Sequence, residues 1–255
     1  MRKRLQNITS TINTLAALLV LLVIWQAVCT LGIVPGYMLP SPVQVVKAFA
    51  EDFPLLMSHL RVTLAEAFLG LFCGVAFGFG MAVLMDRFER LYKAVYPLVV
   101  LTQTVPTVAI APLLVLWFGY EMLPKVILIV ITTFFPITVG VLTGLRSADP
   151  DTMNLLRSMG ADRFQIFCYV KLPGAMGQFF SSLRISAAYS VVGAVISEWL
   201  GGFSGLGVYM TRVKKAFAFD KMFAVIFLIS VISLLLMKLV DYLQKKCMPW
   251  EDAHE

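Results

Sequence analysis

The sequence predicts an all-α membrane protein with about six transmembrane helices. Three observations point there. Of the 255 residues, 59% are hydrophobic and only 14% are charged, whereas soluble domains carry about a quarter charged residues. The apolar residues fall into long runs, and a helix crossing a hydrocarbon core of roughly 30 Å needs about 20 such residues. The breaks between runs carry the helix-capping and turn residues.

Six runs are long enough: about Thr14–Ile33, Leu64–Met85, Val95–Phe118, Leu123–Leu145, Leu183–Leu200 and Met222–Leu243. The first follows Arg2-Lys3-Arg4 in the manner of a signal peptide. No small-x-small cleavage site comes after it, and Gln26-Ala27-Val28 before Cys29 does not make a lipoprotein signal, so a retained span is expected. Between the first and second runs, Ser41 is placed to cap a short amphipathic helix bearing Val45, Val46, Phe49 and Phe53, which would lie at the membrane surface.

In the second run, Gly70, Gly74 and Gly78 recur every four residues and put three small side chains on one helix face. Another helix can approach closely there, either in the same chain or across a subunit interface. Pro97, Pro106 and Pro112 interrupt the third run and Pro136 the fourth. Each removes a backbone donor, which lipid tolerates only where protein or a water-filled cavity covers the defect. The third helix therefore either lines a passage or is buried for packing. No internal repeat relates the two halves.

The net charge of +6 comes from 21 Lys and Arg scattered between apolar runs. No basic face forms, which excludes a nucleic-acid partner and leaves the cations as topology signals. With the N-terminus inside, 14 of them fall on the cytoplasmic side, against seven outside: Lys47, Arg61, Lys125, Arg212, Lys214, Lys215 and Lys221. Both termini are therefore expected inside, with Arg212–Lys215 as an exception. The four Cys lack metal spacing, and His59 and His254 have no companion ligands. No metal site is expected.

The connection over residues 146–182 is too polar to span and too regular to be a loose linker. Ser147-Ala148-Asp149-Pro150-Asp151 is a helix start, because Asp accepts the first free N–H groups and Pro suits the first turn. Met153, Leu156 and Met159 then recur every three residues. Gly160 interrupts, Ala161-Asp162 can cap a second short helix carrying Phe164, Phe167 and Tyr169, and Leu172-Pro173 is expected to end it. Exposed Met and aromatic residues on such a hinge suit a docking knob or a helix lying on the headgroups.

Gly160, nine intervening residues and then Val170-Lys171-Leu172-Pro173 resemble the EAA loop, the signature of permease subunits of ABC importers. The likeness extends to Val105-Pro106-Thr107-Val108-Ala109-Ile110-Ala111-Pro112-Leu113, Leu116-Trp117-Phe118-Gly119, Phe135-Pro136, Arg146-Ser147-Ala148-Asp149-Pro150 and Gly205-Leu206-Gly207. Together these are similar to permeases of the nitrate, sulfonate, taurine and thiamine-precursor type. Where that family has Glu-Ala-Ala, this chain has Asn154, Leu155 and Leu156, so packing there differs.

The resemblance implies a type I ABC importer permease architecture: one transmembrane permease domain over residues 1–255, with its core at about 58–243 and a cytoplasmic coupling loop at 146–182. It implies that Asp151, Leu156, Gly160, Ala161, Asp162, Leu172 and Pro173 engage a separate ATPase, whose closure would move the loop as a lever. It further implies an extracytoplasmic substrate-binding protein and a permease homodimer in a bacterial cytoplasmic membrane. The chain lacks a G-x-x-x-x-G-K-[ST] phosphate loop, so ATP and Mg are expected on the partner. No catalytic residue and no cofactor are expected in this chain.

Ionisable residues inside a membrane are functional candidates by default. Glu66 and Glu198, near the outer ends of their spans, either belong to the translocation pathway or pair with Arg61 or Arg212. Gln103, beside Pro106 in the kinked third run, either lines the pathway or ties helices together. Aligned on the family, sulfonate permeases carry arginine at the positions of Glu66 and Gln103. The replacements therefore favour a neutral or cationic heterocycle, and Gln103-Thr104-Val105-Pro106 looks like permeases for the aminopyrimidine precursor of thiamine. A secondary transporter would call for paired intramembrane charges or repeats, and an intramembrane enzyme for a nucleophile with a base.

Overall fold

A computed structural model describes residues 2–32, 34–36 and 38–249. Ile33, the expected end of the first span, and His254 lie outside the described residues. Among those described, the elements are α1 (Arg2–Thr30), α2 (Pro42–Glu51), α3 (Phe53–Arg87), α4 (Glu89–Thr102), α5 (Thr107–Phe118), α6 (Met122–Arg146), α7 (Pro150–Ser158), α8 (Arg163–Ile166), a π turn (Phe167–Lys171), α9 (Leu172–Leu200), α10 (Leu206–Lys215) and α11 (Phe219–Cys247). No strand occurs among them.

Among the described residues, four helical stretches are long and apolar enough to cross a membrane: Phe53–Arg87, Met122–Arg146, Arg163–Leu200 and Phe219–Cys247. α1 adds a shorter apolar stretch, Ala16–Thr30. The expected third span is not one helix. It divides into α4 and α5, bent by 96° across residues 103–106. Pro106 sits in extended conformation just before α5, where a missing N–H and a fixed φ suit a helix start. Pro97, Pro112 and Pro136 lie inside helices.

The chain clusters into two units, Met1–Met57 with Tyr209–Leu228, and Ser58–Val208 with Ile229–Glu255. In the first, Trp25 packs against two rings of α11, tilted on Phe223 at 5.9 Å and stacked on Phe227 at 5.7 Å, and donates Nε1–H to the Pro40 carbonyl at 3.1 Å. Ser41 closes a reciprocal cap on α2, accepting from Gln44 N–H at 3.3 Å and donating its own N–H to Gln44 Oε1 at 2.8 Å. That satisfies two donors which a helix start leaves free. Phe53 does not extend α2 as expected, because the helix stops at Glu51 and Phe53 opens α3. Asp52, between them, accepts from Lys221 Nζ and the Tyr209 hydroxyl. Both contacts hold its carboxyl below the ordinary 3.8.

In the second unit α6 is the central element. The glycine face of α3 meets a matching four-residue repeat on α6, with Gly70 against Ile129, Gly74 against Thr133 and Gly78 against Ile137. A Cβ at Gly70 would come within 2.5 Å of Ile129. The small residues therefore serve close helix packing within the chain. Further along α6, its own small residues let α9 approach as closely, Gly140 lying against Ser182 and Gly144 against Ala175. Ala82, Met85, Ile137, Val141, Leu142, Leu145 and Ala175 fill the core where these three helices converge.

Candidate functional site

The 146–182 connection forms as the capping residues require. Asp149 accepts from the Asp151 and Thr152 N–H groups at 3.2 and 3.1 Å and from the Thr152 hydroxyl, so α7 begins at Pro150. These donors, Thr152 foremost, hold the Asp149 carboxyl below its ordinary value. Gly160 has φ +87°. Its N–H donates to the Arg157 carbonyl at 3.0 Å, and Ala161 N–H donates to the Leu156 carbonyl at 2.9 Å. That pair of bonds closes a helix C-terminus through a left-handed residue, a conformation glycine adopts without strain. Asp162 then caps α8 reciprocally with Gln165, at 2.7 and 2.8 Å.

The helix does not end at Leu172-Pro173 as expected. Pro173 lies in the first turn of α9, which runs unbroken to Leu200. The π turn before it accommodates the proline. Leu172 N–H reaches the Phe167 carbonyl, a five-residue span, so the backbone widens where proline cannot donate. Asp151 and Asp162 face solvent, Ala161, Leu172 and Pro173 are half-buried, and the exposed apolar set is Leu155, Met159, Phe164 and Tyr169. Met153, Leu156 and Phe167 turn partly inward instead. Met159, Phe164 and Tyr169 are each more than 70% exposed, at 74%, 73% and 75%.

A second site lies where α3, α6 and the end of α9 meet. Glu66 and Glu198 are both only 2% exposed, and neither pairs with the arginines suggested for it. Lys125, 4% exposed, donates to Glu66 Oε1 at 2.5 Å. Glu198 Oε1 accepts from the Thr63 hydroxyl at 2.7 Å, and Oε2 accepts from Gly207 N–H at 2.6 Å. Leu206 N–H donates to Thr63 Oγ1 and Gly205 N–H to His59 Nδ1, each at 2.9 Å.

The free N–H groups at the start of α10 are thus satisfied by side chains of α3 and α9, with a carboxylate where the helix dipole favours one. Gly205-Leu206-Gly207 permits this approach. Gly205 has φ +123°, and a Cβ there would overlap the Glu198 carboxyl. His59, which has no companion metal ligand, holds this turn. Lys125 pairs with Glu66 alone, Glu198 being held by Thr63 and Gly207, and Glu66 Oε2 has no hydrogen-bond partner among the described residues.

Gln103 stands apart from that cluster. It lines a cavity of about 200 Å³ with Thr102, Thr107, Thr132, Tyr189 and an apolar wall that includes Leu128 and Ile196. Pro106 ends the bend beside it. Of the four residues suggested for the pathway, Glu66 and Glu198 lie in the buried cluster with Lys125, Gln103 lines the cavity, and Pro106 stands at the bend without lining it. Thr63 carries no sequence signal of its own, and the sequence presents Lys125 only as a loop cation and His59 only as a histidine without companion ligands. Lys125 falls in the third position of an apolar run, and a buried ammonium needs a carboxylate.

A model of the family described as "binding-protein-dependent transport system inner membrane component" matches residues 74–248. The chain is 38% identical over 233 residues to the formylaminopyrimidine transport permease protein ThiX of Halalkalibacterium halodurans, covering 91% of this chain and 93% of the relative. It is 30% identical to the putative aliphatic sulfonates transport permease protein SsuC of Bacillus subtilis, over 92% and 86% of the two chains. Among solved structures, the inward-facing MetNI methionine ABC transporter shares the fold with TM-score 0.68 at 20% identity, covering 77% of this chain and 97% of that one.

Proposed function

The chain belongs to the family of binding-protein-dependent transport inner membrane components and is a non-catalytic permease subunit of an ABC importer; from that premise we propose that it carries a neutral aminopyrimidine related to a thiamine precursor. The observation that carries this reading is the cavity at the α4–α5 bend. Its polar lining consists of the Gln103 amide and the hydroxyls of Thr102, Thr107, Thr132 and Tyr189. A planar ring with exocyclic amino groups finds both donors and acceptors there, with apolar surface on either side. A sulfonate would enter without a cation to balance it, at the desolvation cost of an unpaired charge. The 38% identity to a permease named for formylaminopyrimidine supports the same class.

In this reading α7 and α8 dock on a separate ATPase subunit through Leu155, Met159, Phe164 and Tyr169, with Asp151, Gly160, Ala161 and Asp162 shaping the knob and Leu172-Pro173 joining it to α9. ATP and Mg are bound by that partner, both termini are cytoplasmic, an external binding protein delivers the substrate, and two copies of the chain enclose the pathway. Glu66 and Glu198 hold the wall of the pathway in place and do not touch the substrate.

The test is uptake of labelled formylaminopyrimidine into vesicles holding the importer, its ATPase and its binding protein. Excess unlabelled aminopyrimidine is expected to abolish the signal, whereas taurine and an alkanesulfonate are expected to leave it unchanged. Equal competition by a sulfonate would replace the substrate class with that of the sulfonate relatives.

A further inference from the structure

We propose that the cavity between the last turn of α3 and the α7–α8 loop binds the headgroup phosphate of an anionic phospholipid. It rests on the reading of the chain as a permease whose loop meets an ATPase, and it concerns the space between that loop and the end of α3. The cavity encloses about 640 Å³. Its charged lining is four cations, Arg87, Arg157, Arg163 and Lys171, against one carboxylate, Asp86. Lys171 takes up that carboxylate, at 2.8 and 2.9 Å to its two oxygens. No carboxylate lies within ion-pair distance of Arg87, Arg157 or Arg163 among the described residues. Arg157 reaches only the Asn154 side chain, at 3.0 Å. The neighbouring Asp162 is engaged in capping α8.

Guanidinium groups that line one pocket with no carboxylate within ion-pair distance suit a phosphate, whose oxygens match their paired N–H donors. The rest of the lining is apolar, including Val83, Ile166 and Phe167, which suits the first methylenes of an acyl chain and not a free hydrated ion. Arg87 is the last residue of a spanning helix, and basic pockets at that depth fit lipid headgroups. A carboxylate from the ATPase is the competing occupant. Of the four apolar residues the loop exposes to a docked partner, Leu155, Met159 and Tyr169 do not line the cavity, and Phe164 alone is shared with it. A bound lipid would tie the end of α3 to both short helices and hold the loop in register with the spans.

The experiment uses the full chain in its importer complex, exchanged through vesicles of phosphatidylcholine alone or with added phosphatidylglycerol, and counts retained lipid by native mass spectrometry. Phosphatidylglycerol is expected to be retained over phosphatidylcholine. Retention is expected to weaken about fivefold for each arginine removed in Arg87→Gln and Arg163→Gln, from the roughly one kcal/mol that each surface cation contributes. Arg87→Lys and Arg163→Lys are expected to keep most of it, which separates charge from folding. Equal retention in the glutamine variants would overturn the proposal, and so would displacement of the lipid by inorganic phosphate. Loss of ATPase assembly with unaltered lipid retention would assign the cavity to the ATPase and also overturn it. Lipid retention is read without transport, so the uptake assay and this one fail independently.

Discussion

Gly160→Pro is expected to leave the permease inserted and the ATPase bound while uptake per ATP hydrolysed falls about tenfold. Gly160 sits at φ +87°, a region closed to the proline ring, which fixes φ near −65°. Its N–H also donates to the Arg157 carbonyl at 3.0 Å, and proline has no N–H to give. Losing that bond and forcing the turn out of the left-handed region costs on the order of 1–3 kcal/mol, against the 1.4 kcal/mol that corresponds to a factor of ten. The strain falls on the joint between α7 and α8, so Met159 and Phe164 would no longer be held in one relative position. Gly160→Asn is the control. Asn tolerates the left-handed region and keeps the N–H, and a Cβ at this position meets nothing within 4 Å. It is expected to couple nearly as the native chain does. Normal coupling in the proline variant would show that the turn is dispensable.

Lys125→Met is expected to destabilise the protein by about 3–5 kcal/mol, the range for removing one partner of a buried ion pair. The mutation leaves Glu66 buried with neither oxygen paired, next to a second carboxylate. Protonation of one glutamate would limit the loss, since a buried acid neutralises before it stays charged and unpaired. The double variant Lys125→Met with Glu66→Leu is expected to recover most of the stability, because replacing both members of a buried pair with apolar groups is often neutral. Thermal unfolding of the purified chain in detergent measures both. A single variant as stable as the native chain would show that the ammonium is not needed where the structure places it.

The sequence makes much of this fold legible because the strongest signals are local. Asp149, Gly160 and Asp162 act on backbone groups within a few residues, so their types alone locate the ends of α7 and α8. The Gly70, Gly74 and Gly78 stripe marks a close approach in the same way, but nothing in it names Ile129, Thr133 and Ile137 as the surface approached. The bend at residues 103–106 was half visible. Three prolines were in view, yet only Pro106 sits at a helix start, and Pro97 and Pro112 are absorbed inside α4 and α5. Pro173 misled in the opposite direction, since a π turn carries the helix past it.

The buried cluster was the least legible part. Glu198 is 135 residues from Thr63, and Glu66 is 59 from Lys125, so no spacing rule connects them. Lys125 sits at the very start of its apolar run and so reads as a loop cation, which hides its role as the counter-ion of Glu66. The site's two polar centres are therefore separate. One is a scaffold around Glu198 and the Gly205-Leu206-Gly207 turn. The other is the uncharged cavity beside Gln103.

The central claim is that this chain forms a pathway driven by an ATPase it does not itself contain, and uptake against nucleotide state tests it most directly. Proteoliposomes holding the permease and its ATPase, with binding protein and labelled formylaminopyrimidine outside, are loaded with ATP, with a non-hydrolysable analogue or with no nucleotide. Accumulation with ATP alone is the expected result. Uptake that persists without ATP hydrolysis would contradict the account.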